Sequence, residues 1–125
     1  MSIQSQLGIP DALDLLRVAV PLVPEGQLGQ ERVIVCSVEF WNTFTGIRLL
    51  WPDLPKSSFE ELWPTCVRSE GHSIGCGQWH LARIGLRSTM YVTTDSPVPT
   101  TTTELHLRFP VGTITLTLAG PTYAG

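Results

Sequence analysis

The sharpest pattern in the chain is the alternation of apolar and polar residues near its C-terminal end. In TITLTL (113–118), Ile114, Leu116 and Leu118 share one face and Thr113, Thr115 and Thr117 the other. ELHLRF (104–109) repeats the pattern, with Leu105, Leu107 and Phe109 opposite Glu104, His106 and Arg108. A period of two is that of a half-buried antiparallel strand. Pro110-Val111-Gly112 between the two runs predicts a hairpin connection.

Five more runs read as strands. In residues 15–23, Leu16, Val18, Val20 and Leu22 share a face. In 32–41, RVIVCSVEFW, one face carries Ile34, Cys36, Val38 and Phe40, and Val33 and Val35 lie opposite. Both faces of that strand are apolar, so a loop or a partner is expected to cover the second. In 46–51, Ile47, Leu49 and Trp51 alternate with Arg48 and Leu50. In 79–86, parity sets His80, Ala82, Ile84 and Leu86 toward the core and turns Trp79 outward; 88–93 follows, with Thr89, Tyr91 and Thr93 on one face. Between the strands, PEGQLGQE (24–31) reads as a polar turn and SPVPTTTT (96–103) as a stiff connection crossing between sheets. In PKSSFEELWP (55–64), Ser57 and Glu60, and Ser58 and Glu61, have capping-box spacing, so residues 58–65 read as a short helix or an edge strand. Glu60 and Glu61 fit helix-start charges better than an acid/base pair.

Seven to eight short strands with turns about every ten residues predict an all-β fold. The favoured architecture is an immunoglobulin-like antiparallel β-sandwich, with a small β-barrel as the alternative. The 125 residues suit a single domain (1–125), with residues 1–12 as an N-terminal extension.

Composition narrows the functional classes. The chain is 42% hydrophobic and 15% charged, which supports a packed core. Seven of its eight cations are arginines, and they are scattered; with a net charge of −3, nucleic acid is not an expected partner. Asp11, Asp14 and Arg17 interrupt the first apolar stretch, which reads as neither a secretory signal nor a membrane span. A cytoplasmic location is therefore expected. An odd count of three cysteines does not suit a disulfide framework, and Cys36, within an apolar run, reads as a small buried hydrophobe.

The densest chemistry is CVRSEGHSIGCGQWH (66–80). Cys66, His72, Cys76 and His80 are all zinc-ligand types, and tetrahedral Cys2His2 sites are common. Their interleaved spacing matches no standard pair of ligand motifs. A Cys66–Cys76 disulfide and a pair of reduced cysteines in a glycine-rich connection are the other readings. The GCG segment superficially resembles a nucleophile elbow, but no strand-to-helix turn accompanies it. No catalytic residue and no cofactor is assigned.

The aromatic residues point to interaction instead. Parity turns Trp41 and Trp79 outward, and an outward tryptophan can anchor an interface. The low-charge faces bearing Tyr91 and the threonines, and the doubly apolar strand with Val33 and Val35, suit self-association. The expected function is a non-enzymatic protein-interaction or assembly module, with Trp41, Trp79, Tyr91, Val33 and Val35 as contacts. Zinc binding by the four-residue cluster and carbohydrate binding by exposed tryptophans are the alternatives.

In order of features the chain resembles a group of small bacterial proteins, best known from actinobacteria, with an immunoglobulin-like β-sandwich fold. The residues that carry the likeness are LLRVAVPLV, RVIVCSVEFWNTFTGIRLLW, the glycine-rich middle turn, and MYVTTDSPVPTTTTELHLRF with the final strand, spanning about residues 15–119. The group's Asp-Asp-x-Gly-Thr-x-Tyr-like turn is replaced here by SEGHSI. The resemblance implies a fold and transfers no functional residue.

Overall fold

The computed structural model describes residues 14–58, 60–84 and 87–119, without the side chains of Gln78, Trp79, Arg83 and Ile84. The N-terminal extension, residues 1–12, lies outside the described residues. The strands are β1 (Leu15–Ala19), β2 (Glu25–Leu28), β3 (Glu31–Trp41), β4 (Thr45–Trp51), β5 (Cys66–Ser69), β6 (His72–Ile84), β7 (Arg87–Thr94), β8 (Glu104–Phe109) and β9 (Gly112–Thr117). All pair antiparallel, in the order β1-β3-β4-β7-β6-β5-β8-β9, with β2 also on β3. The fold is all-β, as the alternation implies, and its sheet curls into a half-barrel.

The curl depends on β6, which is 13 residues long. Its first part pairs with β5 and its second with β7, so one strand belongs to both halves. The register shifts between Cys76 and Gln78, where the strand passes from one half to the other. Such a bulge bends a strand and adds twist. The halves close over one core. Val35, Val38, Phe40, Ile47 and Leu49 face Val67, Leu105, Leu107 and Leu116, all within 1% of full burial. Trp51 of β4 meets Phe109 of β8 edge to face, with centroids 6.2 Å apart. The connection 96–103 crosses from β7 to β8, as its sequence suggests, and is pinned by Val98 N–H donating to Thr45 Oγ1 at 2.9 Å.

A second bulge resolves the doubly apolar strand. The β3–β4 register shifts between Val35 and Ser37. Cys36 is the extra residue, and parity reverses across it. Val33 and Val35 before it, and Val38 and Phe40 after it, therefore all enter the core at 0% exposure. This corrects two expectations: Val33 and Val35 are core residues rather than contacts, and Cys36 is exposed rather than buried. No cover is needed for a second apolar face, because the bulge removes it.

At β1 the expected face exists but points the other way. Leu16, Val18, Val20 and Leu22 are 56%, 55%, 58% and 62% exposed. Ala19 and Pro21 turn inward. Arg17 lies over the Phe40 ring, 4.9 Å from its centroid. Its Nη1 donates to the carbonyls of Thr100 (2.7 Å) and Thr102 (2.9 Å), and its Nη2 to the carbonyl of Ala119. Beside this clamp, Leu22 N–H donates to Thr117 O at 2.8 Å, and Pro21 bridges Leu118. Arginine and bridge together draw the chain ends of the curled sheet toward each other.

Other turns depart from the pattern in smaller ways. PEGQLGQE is not all turn: it contains β2 and a two-residue connection, Gly29-Gln30. Residues 58–65 hold a single 3-10 turn, Glu60–Leu62, where Ser58 Oγ donates to Glu61 Oε1 at 3.1 Å. Ser57 is not its cap. Ser57 N–H and Lys56 N–H instead donate to the buried carboxylate of Glu31, at 2.9 and 2.8 Å.

Candidate functional site

The outer surface of β3, β4 and β7 carries a built cluster. Glu39, flanked in sequence by core residues Val38 and Phe40, is on the outward side of β3 yet only 9% exposed. It accepts hydrogen bonds from Arg48 Nε (2.7 Å), Tyr91 Oη (3.0 Å) and Trp41 Nε1 (3.3 Å). Arg48 also stacks over the Tyr91 ring at 4.5 Å, and Trp41 stacks on Phe44 at 5.8 Å.

Register explains how these groups meet. Arg48 and Tyr91 are direct cross-strand partners, and Glu39 is paired with Gly46. Tyr91 can reach Glu39 only by lying over Gly46. A Cβ at position 46 would come within 2.0 Å of the Tyr91 hydroxyl, so that position must have no side chain.

Burial alone would raise the Glu39 carboxyl. The hydrogen bonds from Arg48 and Tyr91, with the Arg48 charge and Trp41, outweigh it and hold the group below the usual carboxylate range. Tyr91 is raised by burial and by donating to Glu39. Arg48 is raised chiefly by its bond to Glu39. An arginine, a tyrosine and a tryptophan are thus held in place by one carboxylate.

Next to this cluster lies the exposed side of β1. Val18 pairs with Glu39 and Leu15 with Trp41. Leu15, Leu16, Val18, Val20, Leu22 and Val23 are each about half exposed or more. The chain therefore shows a run of apolar side chains beside an aromatic and charged patch.

Of the expected contacts, Trp41 and Tyr91 are brought together here, both half-buried. Trp79 has only its backbone described, paired with Val92, and its side chain lies outside the described residues. His80 corrects the parity reading: it is exposed, paired with Tyr91, and not in the core. Of the tryptophans with described side chains, Trp51 is buried and Trp41 and Trp63 are half-buried.

The stretch 66–80 is a hairpin, not a connection leading into a strand at Trp79. Ser69 pairs with His72 around Glu70-Gly71, whose φ values of 51° and 82° are those of the two-residue turn that matches strand twist. Cys66 pairs with Gly75, and Cys76 with Thr94 on the far side of β6. His72 sits at the hairpin turn, and His80 is beyond the bulge. Among the described residues no three His, Cys, Asp or Glu side chains are placed to hold one metal ion, and Cys36, Cys66 and Cys76 are unbridged. Burial, with Cys66 and Asp95 nearby, pushes the Cys76 thiol up to about 12, so it stays protonated at neutral pH. The glycines have a plain structural use. A Cβ on Gly75 or Gly77 would fall 2.6 or 2.3 Å from an Asp95 carboxylate oxygen.

Arg17, Glu31, Glu39 and Arg48 were not singled out from sequence. The readable signal for Glu39 was a lone acid between two core positions, with an arginine outward on the next strand. Comparison with family models, curated proteins and solved structures yields no match. Among the described residues no helix is long and apolar enough to cross a membrane.

Proposed function

We propose that this protein is a non-enzymatic interaction module that self-associates through the outward side of β1, with Trp41, Tyr91 and Arg48 at the margin of the contact. The observation that carries this reading is the exposure of Leu16, Val18, Val20 and Leu22 on one edge strand. A second copy suits such a surface. An apolar strip is self-complementary under a two-fold axis and needs no matching charge on the partner. Edge strands also pair readily with their own kind unless charge or proline guards them. The flanking cluster supplies the residue types enriched at interface centres. Its guanidinium and rings are already ordered, so little entropy is lost on contact. The three unbridged cysteines suit a reducing compartment, in keeping with a cytoplasmic location.

Light scattering on the full chain tests the proposal. A mass of twice the 13.7 kDa of one chain is expected, and Leu16→Asp should return it to one. A wild-type chain that stays monomeric at about 100 μM would overturn self-association, since stable interfaces hold far below that concentration.

A further inference from the structure

The other half of the barrel carries an unrelated surface feature. On the outward side of β5, β8 and β9 lies a basin of about 480 Å³, lined chiefly by Arg68, Glu70, Glu104, His106, Arg108 and Thr113. Pairing places Arg68 directly opposite His106, His106 opposite Thr115, and Arg108 opposite Thr113. Three cationic or ionisable nitrogen groups therefore converge on adjacent strands, with Arg68 and Arg108 on a diagonal of roughly 7–8 Å.

The charges are arranged unequally. Among the described residues, neither Arg68 nor Arg108 has a carboxylate within ion-pair distance. Arg32 has Glu25 and Asp53, and Arg48 has Glu39. Arg17 is occupied by carbonyls and a ring. Of the two carboxylates that line the basin, Glu104 is engaged by His106 Nε2 at 2.9 Å, and His106 Nδ1 lies 3.0 Å from Thr115 Oγ1. The imidazole is thus held at both nitrogens, and it keeps Glu104 on itself and away from the arginines. Glu70, the other, stands on the turn between β5 and β6. What remains open is a pair of guanidiniums over a floor of fully paired strand, with the Thr113 hydroxyl beside Arg108.

We infer that this basin is a binding site for a phosphate group, gripped by Arg68 and Arg108. Guanidinium presents parallel N–H donors that match oxyanions, and two of them can engage two edges of one tetrahedral anion. The phosphate can come from a small soluble ester or from a lipid headgroup. The basin is shallow, so the recognised chemistry is the anion and not an apolar body. The basin shares no residue with the β1 surface and is formed whether or not the chain self-associates.

Amide NMR of the full chain, titrated with inorganic phosphate at constant ionic strength, tests it. Saturable shifts confined to Arg68, His106, Arg108 and Thr113 are expected. Arg68→Gln and Arg108→Gln should each weaken binding about tenfold, and Arg32→Gln, at a paired surface arginine, should leave it unchanged. All three changes are at exposed side chains, and the wild-type spectrum outside the basin checks folding. Cosedimentation with phosphatidylinositol-phosphate vesicles but not neutral ones, lost in the double variant, would identify a lipid source; binding of free phosphate without vesicle binding would identify a soluble one. Shifts that grow linearly without saturation, that acetate reproduces equally, or that survive both arginine changes would overturn the assignment.

Discussion

β1 and β9 lie on either side of the same seam, and their outward sides are opposites. Each strand alternates. In β9 the threonines face water and Ile114, Leu116 and, just beyond, Leu118 face the core. In β1 the large apolar residues face water and Arg17, Ala19 and Pro21 face in. The hydrophobic effect alone would turn β1 over. It does not turn because Arg17 has partners only on the inside: three carbonyls and the Phe40 ring. Flipping the strand would move the guanidinium into water and strip the part-buried Thr100 and Thr102 carbonyls of a charged donor. Alternation therefore says which residues travel together, and a single polar anchor can decide which side they travel to.

Removing that anchor is the largest test of the comparison. Arg17→Ala should cost about 3 kcal/mol in chemical denaturation, from the lost charged hydrogen bonds and ring contact. An equal change at Thr115 should move the midpoint by less than about 0.5 kcal/mol. A neutral Arg17→Ala would mean that something other than the clamp sets β1's direction.

Charge placed on the two outward sides separates them next. Leu16→Asp should weaken self-association at least about 100-fold, by burying an unpaired carboxylate in an apolar contact, and leave monomer stability nearly unchanged. Thr113→Asp or Thr117→Asp on β9 should leave the mass in light scattering as it is. If both sides respond alike, the association surface is not β1.

Smaller still is the effect of filling the notch beneath Tyr91. Gly46→Ala drives a methyl group into the tyrosine hydroxyl and should cost about 1–2 kcal/mol by displacing it from Glu39. Tyr91→Phe should reproduce the loss of the hydrogen bond, about 1 kcal/mol, without the steric part. A crystal structure or Tyr91 ring shifts in NMR would show the displacement directly.

The smallest expected effect is on acid stability. Glu39 is held below its unfolded value, so its contribution is present above the ordinary glutamate range and is lost as pH falls through the folded value. Glu39→Gln should flatten the acid limb of the stability curve. At neutral pH it should lower stability, because the ionised carboxylate that accepts from Arg48, Tyr91 and Trp41 is gone. An acid limb identical in both proteins would remove Glu39 as a source of pH dependence.

Much of the fold was legible because β structure writes itself as a period of two. The inward residues of β4, β8 and β9 were read directly, as was the crossing role of 96–103. The failures cluster where one residue breaks the period. Cys36 is an inserted residue in β3, and counting parity straight through it assigned Val33 and Val35 to an outer surface. His80 failed differently: it shares a face with Ala82 as counted within 79–86, but both are exposed, because parity groups residues without saying which side is inside. The hairpin 66–80 was missed because its turn, Glu70-Gly71, was read as part of a glycine-rich connection. The cluster around Glu39 was half legible. Trp41 and Tyr91 were expected on the outside, but the carboxylate that gathers them depends on cross-strand pairing that no local pattern encodes.

The sequence by itself determined the all-β class, the residues that share a face in β4, β8 and β9, the paucity of charge, and the outward side for Trp41 and Tyr91. Only the tertiary structure decided where the bulges fall, which side of β1 is inside, and that Arg68, His106 and Arg108 meet in one basin. The reason is physical. Alternation is a property of a single strand's backbone, whereas bulges, clamps and cross-strand clusters arise from hydrogen bonds between residues far apart in the chain, and these exist only once the sheet has curled.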